Sequence, residues 1–157
     1  MNREIKRAVL ILLAPVLISS CNAKKVAEPE NMDSRLQLMD ADRTFSKLSE
    51  KKGIKNASLQ CIDNKGILLR PNSFPLVGGN AIDYISQGND TSFILTWDPN
   101  GGAIAASGDL GYTYGIYSLK PKNQDTVYYG TYIRIWKKQP DGKWKFALET
   151  GNEGVGE

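Results

Sequence analysis

Three runs rich in Tyr, Trp, Ile and Thr constrain the fold of this chain more than any other feature. They occupy residues 112–119, 126–138 and 143–150, and polar turn signals separate them. Aromatic and β-branched residues are enriched in strands, and Pro140-Asp141-Gly142 is typical of a hairpin turn. The pattern therefore predicts three long strands of an antiparallel sheet.

A long amphipathic helix is predicted upstream of these strands. Asp33 or Ser34 can cap its N-terminus, and Gly53 ends it after Lys52. One face carries apolar residues at helical spacing, namely Leu38, Ala41, Phe45 and Leu48. A short second helix is expected near residues 54–59.

In the middle of the chain the sequence predicts short strands and a short helix. Residues 60–63 and 66–70 are expected to form a short hairpin around Asn64-Lys65, and a loop rich in Pro and Gly follows. Asn80 is predicted to cap a helix of one to two turns. Strands are expected at residues 92–97 and 103–107, with a turn at residues 98–102 between them. Helices followed by an antiparallel sheet indicate an α+β fold; the long helix argues against a β-sandwich, the alternative.

Composition and charge argue against several classes of function. The 157 residues suit one domain, with 41% apolar and 24% charged residues. Beyond residue 20 there are 17 basic and 16 acidic side chains, which gives no electrostatic reason to expect nucleic acid. The chain has no histidine, so a Ser-His-Asp triad and imidazole metal ligands are excluded. No cofactor or metal motif occurs, and we expect neither group.

The N-terminus has the parts of an export signal. Arg3, Lys6 and Arg7 precede an apolar run at residues 8–18, which is too short to span a bilayer. The sequence that ends at Cys21, Leu-Ile-Ser-Ser-Cys, resembles a bacterial lipobox. That resemblance implies a signal peptide at residues 1–20 and lipidation of Cys21. An ordinary signal peptide or an uncleaved anchor is the alternative.

Lipidation of Cys21 would attach the domain to a membrane through the segment that follows this cysteine. Acyl chains would hold a soluble domain on a membrane of the bacterial cell envelope, on either its periplasmic or its outward-facing side. Residues 21–32 are polar and aperiodic, as in a tether. Cys61 would then remain as a single thiol, and its apolar neighbours favour a small buried residue over a reactive one.

The order of elements resembles the nuclear transport factor 2-like superfamily, and within it the SnoaL-like domain-of-unknown-function family numbered 4440. Five stretches carry the resemblance: LMDADRTF at 38–45, LLRPN at 68–72, GGNAI at 78–82, GDLGYTYG at 108–115 and DGKWK at 141–145. The resemblance implies a cone-shaped (cystatin-like) domain over residues 33–152, with a tail at 153–157. A curved sheet would wrap the helices and leave a pocket at its wide end.

The same superfamily includes ketosteroid isomerases and polyketide cyclases. The isomerases combine an Asp base with a Tyr and a protonated acid. No stretch of this sequence matches that set residue by residue, so catalytic residues stay unassigned. Candidate pocket residues are chosen by chemistry and position: Asp40, Phe45, Trp97, Tyr114, Trp144 and Thr150. For Asp40 the alternative is a solvated carboxylate paired with Arg43 or Lys47.

Alternation along the last two strands predicts which residues share a face. Ile133 and Ile135 would face the helices, so that Tyr132, Arg134 and Trp136 form a convex face suited to solvent or to a dimer interface. On the last strand Trp144, Phe146, Leu148 and Thr150 are expected inside, with Glu149 outside.

Three functions are compatible with the sequence. The first is a lipid-anchored domain that binds a small apolar or amphipathic molecule. The second is an isomerase or cyclase that uses a pocket carboxylate and a tyrosine. The third is an interaction module that forms a homodimer through its convex sheet face.

Overall fold

The computed structural model describes residues 32–155. The predicted signal peptide, Cys21 and nearly all of the predicted tether lie outside the described residues. Within them the chain forms three helices and six strands, in the order α1 (Met32–Lys52), α2 (Ile54–Cys61), β1 (Ile62–Leu68), β2 (Leu76–Val77), α3 (Gly79–Gln87), β3 (Phe93–Ile104), β4 (Leu110–Pro121), β5 (Tyr128–Lys138) and β6 (Trp144–Glu153).

The six strands form one sheet in the order β2-β1-β6-β5-β4-β3. Strands β3 to β6 form an antiparallel meander, whereas β1 pairs with β6 in parallel. Helix α1 packs against this sheet and contacts β3 most extensively, and α2 contacts α1. The predicted α+β class, with a curled sheet around N-terminal helices, is confirmed.

Helix α1 forms where the apolar stripe predicted it. Leu38 and Phe45 are fully buried, and Gly53 ends the helix with a φ of 83°, which a residue with a side chain rarely adopts. Two buried serines bond the helix to the edge strand β3: Ser46 Oγ accepts from Trp97 N at 2.8 Å, and Ser49 Oγ donates to Leu95 O at 2.7 Å. The helix thus satisfies backbone groups that an uncovered edge would leave unpaired.

The predicted turn at residues 98–102 is wrong. Strand β3 runs through it without interruption, and the register against β4 shifts between Pro99 and Gly101, so that Asn100 is an extra residue in a β-bulge. The two strands are instead connected after Ile104, where Ala105 N donates to Leu110 O at 2.8 Å. Gly and Pro therefore mark a bend inside a long strand rather than its end.

The predicted hairpin at residues 60–70 is also wrong. Residues 62–68 form the single strand β1, whose register against β6 shifts between Ile62 and Ile67. The excess residues form a local turn in which Asp63 Oδ1 accepts from Lys65 N at 2.8 Å. The Asn64-Lys65 signal thus marks a bulge.

The predicted N-cap of α3 is also wrong, because the N-cap is Gly78 and not Asn80.

The predicted faces of β5 are reversed in the structure. Tyr132, Arg134 and Trp136 are buried against the helices, whereas Ile133 is 40% exposed on the opposite face. The ring centres of Phe45 in α1 and Trp136 lie 6.2 Å apart in an edge-to-face contact, which identifies the inner face of the sheet. The face of β5 that packs on the helices therefore contains an arginine.

A bulge in β6 explains why Glu149 lies on the opposite face from the one predicted. Trp136 pairs with Phe146 and Ile135 pairs with Leu148, so Ala147 has no partner of its own. One extra residue shifts the alternation, because successive side chains point to opposite faces. Phe146 and Glu149 consequently both lie on the inner side, although they are three positions apart, an odd number that would place them on opposite faces of a regular strand. The prediction that Glu149 points outward is wrong.

No helix within residues 32–155 is long and apolar enough to cross a membrane.

Candidate functional site

A pocket of about 460 Å³ opens between α2, α3 and the inner face of the sheet. We call it the cone pocket. Its volume lies within the range of small-molecule sites. Its apolar wall is formed by Ile54, Ile85, Phe93 and Leu95, and its charged wall by Arg70, Arg134 and Glu149. Lys55, Tyr84 and Asp90 also line it. The pocket therefore combines an apolar side with fixed charges.

Arg134 is the central residue of the charged wall. It lies on the inner face of β5, and only 4% of its side chain is exposed. Its Nε donates to Glu149 Oε2 at 2.7 Å and its Nη1 donates to Asp42 Oδ1 at 2.9 Å. Burial by itself would lower the pKa of Arg134, but Glu149 and Asp42 outweigh burial and raise it. The guanidinium is a permanent cation at this position.

Three aromatic rings surround the guanidinium of Arg134. Its Cζ lies 4.1 Å from the ring centre of Trp97, 4.3 Å from that of Tyr132 and 4.8 Å from that of Phe45. Such contacts with a desolvated cation stabilise it, and they leave the planar group little freedom to rotate. The aromatic residues thus hold the donors of Arg134 in fixed directions.

Asp42 anchors the side of Arg134 that faces away from the cone pocket. This carboxylate of α1 is fully buried and accepts three hydrogen bonds, from Trp97 Nε1 at 2.8 Å, Tyr132 Oη at 2.8 Å and Arg134 Nη1. Every buried side-chain nitrogen and oxygen within residues 32–155 has a partner. Asp42 is therefore a structural counter-ion, and it does not line the cone pocket.

Glu149 links Arg134 to Arg70. Its Oε1 accepts from Arg70 Nη2 at 2.6 Å, and its side chain is 14% exposed. Burial alone would raise the pKa of Glu149, but the charges and hydrogen bonds of Arg134 and Arg70 outweigh burial and hold the pKa below its usual value. Glu149 is thus a firmly ionised carboxylate and a weak base.

One guanidinium nitrogen of Arg134 remains for the cone pocket. Its Nη2 forms no hydrogen bond with any described residue. Every fully buried side-chain nitrogen within residues 32–155 has a partner, so an unpartnered nitrogen cannot be fully buried. Nη2 is consequently accessible, and Arg134 lines the pocket. Arg70 adds donors, because it uses Nη1 and Nη2 for Leu69 O and Glu149 while its Nε has no partner among residues 32–155.

The tyrosine next to Asp42 cannot supply acid chemistry to the pocket. Burial, followed by the charge of Asp42, raises the pKa of Tyr132 far above its usual value. Arg134 separates the Asp42–Tyr132 pair from the cone pocket, which neither residue lines. The Asp42–Tyr132 hydrogen bond has the length expected of a catalytic carboxylate–tyrosine pair, but neither group lines the pocket.

None of the six residues predicted for the pocket lines the cone pocket, and the structure distributes them over several places. Phe45 and Trp97 are buried under the guanidinium of Arg134, while Trp144 lies on β6 with Lys138 Nζ 5.7 Å from its ring centre. The side chain of Asp40 is 72% exposed and pairs with Arg43, as in the alternative of a solvated carboxylate. Tyr114 and Thr150 line a separate depression of about 410 Å³ on the outer side of the sheet.

Sequence reasoning missed Asp42, Arg70 and Arg134 as site residues. A signal existed for Asp42, which lies four residues after Leu38 and three before Phe45 and so falls on the apolar stripe of α1. A charged residue on a buried stripe requires a buried partner. The partner, Arg134, is 92 residues away, and no local pattern identifies it.

The outer sheet face, defined here by Tyr112, Tyr114, Ile116 and Ile133, is apolar and exposed. Each of these residues is at least 40% exposed. Tyr114 pairs with Ile133 across β4 and β5, so the side chains form one continuous patch. This face, rather than that of Tyr132, Arg134 and Trp136, is the surface available to a partner.

Two smaller features complete the chemistry of the described residues. Cys61 is a free thiol packed against the core, and burial raises its pKa to about 11. Within residues 32–155 no group of three Cys, Asp or Glu residues is arranged to hold a metal ion.

Solved structures share this fold at low sequence identity. An NTF2-like protein with a cystatin-like fold from Novosphingobium aromaticivorans aligns with a TM-score of 0.61 and 13% identity over 80% of this chain and 84% of its own. A ketosteroid isomerase-like protein from Erwinia carotovora atroseptica aligns with a TM-score of 0.59 and 12% identity over 77% and 97%.

A third structure, the association domain of C. elegans CaMKII, aligns with a TM-score of 0.60 and 16% identity over 78% of this chain and 99% of its own. No protein-family model matches the chain, and no curated protein matches its sequence. The resemblance to the family numbered 4440 therefore stays a prediction. The chain has the nuclear transport factor 2-like, cystatin-like fold.

Proposed function

We propose that this protein binds a small amphipathic molecule in the cone pocket and does not transform it. The observation that carries the proposal is the buried guanidinium of Arg134, held by Asp42 and Glu149. Its Nη2 has no hydrogen-bond partner among residues 32–155, and Arg134 lines a pocket that has an apolar wall. A fixed donor at the end of an apolar cavity is the usual composition of a ligand site.

An isomerase or cyclase is the alternative, and the carboxylates of the pocket argue against it. Glu149 is a weak base because two arginines bind it, and Asp90 accepts from Lys55 N at 2.8 Å. Neither carboxylate is hydrogen-bonded to a tyrosine hydroxyl among the described residues. A general base needs a pKa near the working pH and a substrate proton within reach. Binding is the simpler function for this set of side chains.

The binding proposal can be tested with Nile red, an uncharged dye whose fluorescence increases in apolar sites. We expect saturable enhancement with the unmodified protein and its loss in Gln87→Trp, which places a bulky ring at the exposed rim of the cone pocket. Ser86→Trp is the matched control, because Ser86 is exposed, adjacent and outside the pocket lining.

Two outcomes would contradict this proposal. One is the absence of saturable enhancement in the unmodified protein. The other is equal binding by Gln87→Trp and the unmodified protein, which would move the dye to another surface such as the outer sheet face.

We also propose that the domain is a lipoprotein of the bacterial cell envelope, exported by residues 1–20 and acylated at Cys21. The support is the sequence alone: a basic start, an apolar run of 11 residues and small residues before Cys21. In cells fed a labelled fatty acid, Cys21→Ser should lose both the label and membrane retention. Retention unchanged by the substitution would contradict the proposal.

A homodimer is the second candidate, and the outer sheet face favours it. This face exposes two tyrosines and two isoleucines in one patch, and large apolar patches mark interaction sites. One of the structural neighbours is an association domain, which is consistent with assembly through this fold. We expect sedimentation equilibrium to give a dimer that Ile133→Lys dissociates, whereas Gln60→Lys, at an exposed position of α2, does not. A monomer at high concentration would contradict a dimeric function.

A further inference from the structure

We infer that the ligand of the cone pocket is uncharged and carries a hydrogen-bond acceptor such as a carbonyl or ester group. This inference rests on the proposed binding function and adds the chemical class of the ligand. Two observations carry it: the balance of charges around the pocket and the kind of hydrogen-bonding group that its buried end offers.

The formal charges of the pocket already cancel. The cations that line it are Lys55, Arg70 and Arg134. The anions are Asp90 and Glu149, which line it, and Asp42, which lies directly behind Arg134 at 2.9 Å. Three positive and three negative groups leave no net formal charge, and Lys55 is the one of these three cations that forms no ion pair among residues 32–155.

A ligand carboxylate would disturb this balance. It would enter beside Glu149, whose side chain is only 14% exposed, and would give the lining groups together with Asp42 a net negative charge. A charge that is taken out of water without a partner is strongly unfavourable, and like charges in a site of low dielectric repel each other. The two arginines do not change this conclusion, because Glu149 and Asp42 already neutralise them.

An uncharged acceptor suits the same groups. Arg134 Nη2 and Arg70 Nε are N–H donors without a partner among residues 32–155, and arginine cannot accept a hydrogen bond. A carbonyl oxygen would receive charge-assisted hydrogen bonds from them without adding a charge. The rest of the molecule would lie on the wall formed by Phe93, Leu95, Ile54 and Ile85.

Three probes with one aromatic body test the inference: 2-acetonaphthone, 2-naphthoate and 2-ethylnaphthalene. They present a neutral acceptor, an anion and no polar group, and each is small enough for about 460 Å³. At pH 7 we expect the dissociation constant of acetonaphthone to be at least about tenfold lower than those of the other two. Competition with Nile red would measure all three.

Variants that remove one negative charge should change the preference for the anion. Asp90→Asn keeps the shape of the acceptor for Lys55 N and leaves the pocket with one excess positive charge. We expect naphthoate affinity to rise about tenfold, with acetonaphthone affinity changed less than about threefold. Glu149→Gln should act in the same direction. Asp98→Asn is the control, because Asp98 is exposed and pairs with Arg43 away from the pocket.

The outcomes separate this inference from the proposed function. If none of the probes competes with Nile red, and Nile red itself does not bind, the binding function fails. If the probes bind but naphthoate binds as tightly as acetonaphthone, the pocket binds ligands and the inference about their charge is wrong. An unchanged ratio of the two affinities in Asp90→Asn would also overturn it, because the charge balance would then not decide the preference.

Discussion

Asp42 of α1 and Arg134 of β5 form an ion pair of 2.9 Å in which both side chains are buried. The pair joins residues 92 positions apart and connects the helix to the inner face of the sheet. Glu149 and Arg70 extend it to the cone pocket. The centre of the domain is therefore a polar network inside a shell of aromatic rings, and its residues Arg70, Arg134 and Glu149 line the pocket.

Asp42→Asn should destabilise the protein by about 3–5 kcal/mol, because it leaves the buried guanidinium of Arg134 without one counter-ion. Urea unfolding followed by tryptophan fluorescence measures the change. Asp40→Asn is the matched control two residues away, where an exposed pair with Arg43 makes a loss of less than about 0.5 kcal/mol the expected result. Equal losses in the two variants would refute the structural role of Asp42.

The stability that Glu149 contributes should disappear in acid. Its pKa is lowered in the folded state, so the contribution is complete above the unfolded value near 4.5 and is lost as the pH falls through the folded value. We expect the unmodified protein to exceed Glu149→Gln in unfolding free energy by about 3 kcal/mol at pH 7. The difference should shrink below about pH 4.5. A difference that stays constant down to pH 3 would show that ionisation of Glu149 is not the cause.

Helices α1 and α2 and three of the four long strands could be predicted from sequence, because local periodicity determines them. Helix α1, helix α2 and the strands β4, β5 and β6 match the predicted elements closely. The inner face of β5 could not be predicted in the same way. Alternation shows that Tyr132 and Arg134 share a face, but hydrophobicity alone assigned Ile133 to the interior. The arginine is buried because Asp42 and Glu149, distant in sequence, neutralise it.

Bulges account for the errors of the sequence analysis in β3 and β6. Asn100 in β3 and Ala147 in β6 are each one extra residue that the alternating pattern does not reveal. The bulge at Ala147 turns Glu149 inward and so creates the charged wall of the cone pocket. The candidate site was therefore largely inaccessible from sequence, with Asp42 on the apolar stripe as its one local signal.

The bulge in β3 depends on close approach of the two strands at Gly115. A Cβ on Gly115 would collide with the carbonyl oxygen of Asp98. We expect Gly115→Ala to cost about 1–3 kcal/mol of unfolding free energy. Gly79→Ala in α3 is the control, since a Cβ there meets nothing within 4 Å and alanine favours a helix by up to about 1 kcal/mol. Gly115→Ala that is as stable as the unmodified protein would contradict the close approach.

Cys61 should react slowly in the folded protein. Burial raises its pKa from 9.0 to about 11, so the thiolate fraction at pH 8 falls by a factor of about 100. In the chain carrying Cys21→Ser, Cys61 is the only thiol, and Ellman's reagent should modify it about 100-fold more slowly than after unfolding in urea. Similar rates in both states would show that the thiol is accessible and ionised in the fold.

The side-chain ¹⁵N resonances of Arg134 test the binding function most directly, because the guanidinium forms part of the wall of the cone pocket. During titration with 2-acetonaphthone, we predict that the Arg134 resonances and the backbone amides of Phe93 and Leu95 shift along one saturation curve. The resonances of Arg43 and of the outer sheet face should stay in place. Arg134 resonances that do not move, or shifts confined to Tyr114 and Ile133, would contradict the account.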